Sequence, residues 1–157
     1  MLFMNYALAA LISFLGLPSG IFLAFAAKEE LKIGKRYFLL MQNILLVLIL
    51  FFLMEHLRAD IYLTVLISIT LLVLLFYFNN GENTKKLPIA VYPALAVVFY
   101  LSSKNTNLFL LESALIFMYG LPAGSLVIDL KKKDYAAVIL KHISFIVIAL
   151  LLFFILS

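Results

Sequence analysis

Residues 37–54 read YFLLMQNILLVLILFFLM, 18 residues without a charge. A helix that crosses the hydrocarbon core of a bilayer needs about 20 mostly apolar residues. A surface helix of a soluble protein would show a polar face on every turn, and here Gln42 and Asn43 are the only polar breaks. Strands of a membrane barrel alternate inward and outward over about 10 residues, and the run Ile44–Met54 does not alternate. The segment reads as a spanning α-helix.

The rest of the chain repeats this pattern. Of its 157 residues, 66% are hydrophobic and 13% charged, against roughly 45–50% and about 25% in soluble domains. So little polar surface cannot cover a water-soluble core. This excludes a soluble enzyme, a nucleic-acid reader and a disordered tail. Charge-free windows at 1–27, 37–54, 61–81, 87–103, 113–128 and 142–157 predict six helices in one transmembrane domain covering 1–157. The expected spans are 2–27, 37–54, 61–78, 88–102, 108–128 and 135–156. The fourth has the weakest signal, being short and carrying Pro88 and Pro93. The first window has no basic residue before its apolar run, so it reads as a retained helix rather than a signal peptide.

Short connections make neighbouring helices antiparallel, giving three hairpins. Lys28, Lys32, Lys35, Arg36, Lys85, Lys86, Lys131 to Lys133 and Lys141 fall on one side; Arg58 and Lys104 fall on the other. Basic residues favour the cytoplasmic side, which places both termini outside. The net charge of +4 reads as this topology signal plus attraction to anionic headgroups at the inner loops, not as nucleic-acid binding. Between the first two spans, Glu29, Glu30 and Lys32 predict a short amphipathic turn at the surface, ended by Gly34.

The most informative feature is internal similarity. Residues 10–20 read ALISFLGLPSG and residues 114–124 read ALIFMYGLPAG, identical at seven of eleven positions at an offset of 104. Matches of Ala, Leu and Ile are cheap in apolar sequence. A shared Gly-Leu-Pro-x-Gly is not, in a chain with 6 Gly and 4 Pro. Both copies run from outside to inside, so the first and last hairpins read as a parallel repeat. Gly16 with Gly20, and Gly120 with Gly124, form GxxxG steps that let another backbone come close. Pro18 and Pro122 remove an amide donor and predict kinks. The packing role is the plainer reading; a binding site is the sharper one, since paired Gly/Pro interruptions point to transporter sites.

Polar residues at membrane depth are few. Gln42, Asn43, Ser19, Ser125 and His142 fall near one inner-leaflet level and are the candidate substrate-lining set. Interhelical hydrogen bonding is the plainer role for each. Outside, Glu55, His56, Arg58 and Asp60 crowd a loop. Their spacing matches no metal motif, so a solvated loop and no metal are expected. Glu112, the only acid inside a span, is expected to pair with Arg58 or Lys104. No cofactor motif or catalytic signature is present. Ser125 and His142 lack a third group for a serine–histidine nucleophile. Cysteine is absent.

Two functional classes follow. The first is a small carrier or transport subunit for a small solute or ion. The second is a structural or assembly subunit that packs through its GxxxG faces. A membrane enzyme ranks third. The chain is small for a complete transporter, which predicts a homo-oligomer or other membrane subunits as partners. In size and span count alone it is similar to the substrate-binding subunits of energy-coupling transporters.

Overall fold

The computed structural model describes residues 3–79, 87–127 and 135–156. Among these residues the chain is all-helical. Its helices are α1 (Phe3–Phe14), α2 (Gly16–Ala26), α3 (Lys28–His56), α4 (Ile61–Asn79), α5 (Leu87–Ser102), α6 (Thr106–Val127), α7 (Tyr135–His142) and α8 (Ser144–Leu156). Three stretches are long and apolar enough to cross a membrane: Phe3–Ala26, Gly34–His56 and Thr106–Leu126. Shorter apolar helices are Ile61–Leu75, Val91–Ser102 and Ser144–Leu156. The basic loops at 80–86 and 128–134 lie outside the described residues.

Two of the expected rods are interrupted. Between α1 and α2 the chain tightens at Leu15, whose amide reaches both Leu11 and Ile12 carbonyls at 3.0 and 3.1 Å. Pro18 therefore sits in the first turn of α2, where a missing amide costs nothing. Pro122 instead lies inside a continuous α6. Between α7 and α8 the turn is at Ile143, whose amide is 3.4 Å from the Leu140 carbonyl. By the offset of 104, Leu15 corresponds to Tyr119, where α6 runs on unbroken. The two similar segments thus differ in backbone at the same position.

The stretch 28–36 is not a separate surface turn ended by Gly34. It is the start of α3, which runs for 29 residues. Lys, Glu and Leu are good helix formers, and Glu29 in the first turn suits the positive end of the helix dipole. Gly34 is half-buried and helical.

The helix with the weakest sequence signal is among the most deeply placed. In α5, Tyr92, Leu95, Ala96, Val98, Phe99, Tyr100 and Ser102 are all buried, with Pro93 inside the helix. A helix walled by protein needs less lipid-facing length than one walled by lipid. The central element is α6, which packs on α1, α2, α3 and α5, while α4 packs on α3. Most of α4 is exposed, from Ile61 to Leu74, with Thr64 and Leu75 buried. Leu48 on α3 is partly buried against the core.

The closest approach is between α2 and α6. A Cβ on Gly16 would run into the Phe117 carbonyl, and one on Gly20 into the Leu121 carbonyl. From the other side, a Cβ on Gly120 would sit 2.6 Å from the Gly16 carbonyl carbon, and one on Gly124 would meet the Leu17 carbonyl. The two Gly-Leu-Pro-x-Gly elements lie against each other, backbone on backbone. Ser125 Oγ fastens the crossing by donating to the Gly20 carbonyl at 2.8 Å, with the Leu121 carbonyl at 3.0 Å. Further out, Ser13 Oγ donates to the Ser113 carbonyl at 3.1 Å. Tyr6 and Tyr100 tie α1 and α5 to α8 through the carbonyls of Ala149 and Leu156.

Candidate functional site

Four helices bring polar side chains into the packed interior. Gln42 comes from the second turn of the apolar part of α3, Tyr92 from α5, Tyr119 from α6 and His142 from the end of α7. Their exposures are 3%, 1%, 0% and 0%, so water does not reach them in this conformation. Gln42 Nε2 donates to the Tyr119 hydroxyl at 3.0 Å. The Tyr119 ring lies 6.0 Å from Tyr92, and Tyr92 stands edge-on to His142 at 5.0 Å between centroids. The result is a continuous row: Gln42, Tyr119, Tyr92, His142. The Tyr92 hydroxyl has no hydrogen-bond partner among the described residues. A buried hydroxyl left that way forfeits about 1–3 kcal/mol.

The candidate lining set divides. Gln42 and His142 belong to the row, joined through the two tyrosines. Asn43 is also buried, at 1%. Ser125 is buried but committed to the α2–α6 crossing, and Ser19 is half-buried on α2. Ser125 thus spends its proton on a backbone carbonyl rather than on an imidazole, which removes the serine–histidine pairing. The six Gly and Pro positions, Gly16, Pro18, Gly20, Gly120, Pro122 and Gly124, lie at or beside the crossing.

Sequence reading passed over Tyr92 and Tyr119. Tyrosine is enriched at membrane interfaces, so a tyrosine in an apolar run does not by itself signal a buried role. The available signal was position: Tyr119 lies in the middle of its apolar stretch, where a phenol needs an internal partner.

A second polar region lies at the end of α3 that carries His56. A cavity of about 500 Å³ is lined by Phe52, Glu55, His56, Arg58, Asn105, Asn107, Leu108 and Leu111. Glu55, His56 and Arg58 are exposed there; Glu55 and His56 end α3 rather than lying in a loop. Arg58 adopts a left-handed φ of 56°. Its amide reaches the Glu55 carbonyl at 3.0 Å and the next amide, Ala59, reaches Met54 at 3.1 Å. This is the paired-bond helix stop that usually carries glycine. Among the described residues no group of three His, Cys, Asp or Glu could hold a metal.

Glu112 is not paired as expected. It is fully buried, neither carboxylate oxygen has a hydrogen-bond partner among the described residues, and Arg58 and Lys104 remain exposed. The reason is position. Glu112 lies roughly 9 Å along α6 from its first residue, by about 1.5 Å per residue, below the level of the loops.

No protein-family description, curated protein or solved structure matches this chain.

Proposed function

We propose that the chain is a small polytopic membrane carrier or transport subunit for a small solute or ion. It would have six spans, basic segments in the cytoplasm and both termini outside. The observation that carries the reading is the row Gln42, Tyr119, Tyr92 and His142. Four helices each place a polar group in the apolar interior, and an ionisable group at membrane depth, such as His142, is a mark of substrate and ion paths. The interruptions at Leu15 and Ile143 support it too, since broken helices beside a polar site are the common construction of carriers. The row is closed to water in this conformation, so it corresponds to an occluded state. We read the two similar hairpins as a parallel repeat and the α2–α6 crossing as the pivot between them.

The rival is a structural subunit in which the same row only holds helices together. The tight packing around the row and the glycine crossing favour that reading. Solvent access separates the two without a known substrate. The chain has no natural cysteine, so Gln42→Cys and His142→Cys can be probed singly in vesicles with a membrane-impermeant thiol reagent. A carrier exposes its site to each side in turn, so both positions react during its cycle. If Glu55→Cys reacts while both buried positions stay unmodified from either face, the carrier reading falls and the structural one stands.

A further inference from the structure

We propose that Glu112 is a proton-binding site of this membrane domain, loaded and unloaded through the outer cavity. Its side chain is fully buried in α6 and both oxygens lack partners among the described residues. A lone charge at that depth is among the most costly groups a membrane protein can carry. A partner would offset the cost, and no element packed against α6 supplies one among the described residues.

From α1 comes Tyr6, whose hydroxyl is donated to the Ala149 carbonyl at 3.1 Å. From α2 there is no titratable residue. From α3 come Glu55 and His56 at the outer end, followed by Arg58, all exposed. From α5 come Tyr92 and Tyr100, the latter donating to the Leu156 carbonyl, with exposed Lys104 in the next loop. On α6 itself Tyr119 lies two turns deeper and accepts from Gln42. No hydrogen bond or ion pair joins any of them to Glu112.

Calcium or magnesium takes six or more ligands and zinc about four, and among the described residues no group of three His, Cys, Asp or Glu could hold a metal. A proton needs no ligand shell. It bonds to one carboxylate oxygen, the charge goes from −1 to zero, and release returns the proton to water. The route is short. Leu108 and Leu111, one turn and one residue before Glu112, line the outer cavity, and Glu55 and His56 line the same cavity. Both of those side chains are exposed to water. The site uses none of the residues in the row, so it stands independently of the carrier reading; in a carrier it would supply the coupling ion.

Infrared difference spectra of the full chain in phosphatidylcholine vesicles, acid minus alkaline, test this. The expected result is a protonated-carboxyl stretching band that Glu112→Gln removes and Glu55→Gln leaves in place. Should Glu112→Gln fail to fold, Glu112→Asp serves instead, and the band then shifts in frequency and pH midpoint. Two results overturn the proposal. In one, the band is unchanged by either Glu112 variant. In the other, the Glu112 signal responds to sodium or ammonium at fixed pH and not to pH, which would make the site a cation seat. Thiol access at Gln42 can fail while this band persists, so failure of one proposal leaves the other readable.

Discussion

Gln42 and Tyr119 are each other's hydrogen-bond partner in the interior, and that makes their contributions inseparable. Gln42→Leu strands the Tyr119 hydroxyl, and Tyr119→Phe strands the Gln42 amide. Each single change is expected to destabilise by about 1–3 kcal/mol, the cost of a buried group left unsatisfied. The double variant removes both polar groups together and should cost less than the sum of the singles, with a coupling of about 0.5–3 kcal/mol. Unfolding of the detergent-solubilised variants by increasing denaturing detergent measures all three. Additive losses would mean that the two side chains act separately. Ser125→Ala differs: its hydroxyl has two carbonyl acceptors already bonded in helices, so its removal should cost only about 0.6 kcal/mol, the average for interhelical bonds in membranes.

At the scale of elements, the α2–α6 crossing depends on the absence of side chains. A Cβ at Gly124 would meet the Leu17 carbonyl, and backbone cannot rotate out of the way as a side chain can. Gly124→Leu and Gly20→Leu should therefore lower stability by at least the 1–3 kcal/mol typical of overpacking. Leu66→Val, at a position 63% exposed on α4, is the proper silent control. Glycine variants with thermal transitions equal to that control would mean that the crossing tolerates being pried apart. The end of α3 makes the opposite prediction. Arg58 holds a left-handed conformation that costs an L-residue roughly 1–2 kcal/mol. Arg58→Gly should raise the thermal midpoint, because glycine adopts that conformation freely. It also strips a positive charge from the outer cavity. A midpoint lowered by Arg58→Gly would mean that the guanidinium contributes more than the strain costs.

At the scale of the whole molecule, Lys35 and Glu55 are both exposed and lie toward opposite ends of α3. With the basic segments inside, Lys35→Cys should react with an impermeant thiol reagent only from the cytoplasmic face and Glu55→Cys only from the outside. Both reacting from one face would break the proposed topology, and exchanged faces would invert it. The exposed apolar surface of α4 fits a helix that meets lipid on most of its circumference, since a helix that is hydrophobic all round has no polar side to offer water.

The positions of the helices were legible because apolar length is a local property. Charge-free runs located α3, α4 and α6 within a few residues, apart from the charged first turns of α3. Helix propensity carried those turns into the helix where charge counting had ended it. The GxxxG spacing was legible as a flat face, because glycine has no side chain in any context. Sequence did not say what that face would meet. It met the other Gly-Leu-Pro-x-Gly segment, a pairing that only the three-dimensional path of the chain decides. The burial of α5 was hidden for a related reason: a proline-bearing, short helix scores poorly against lipid but packs well when protein surrounds it. Tyr92, Tyr119 and Glu112 depended on tertiary structure most of all. A phenol or a carboxyl takes its role from its partners and its distance to water. Those are set by helices far apart in the chain, and no pattern within one helix encodes them.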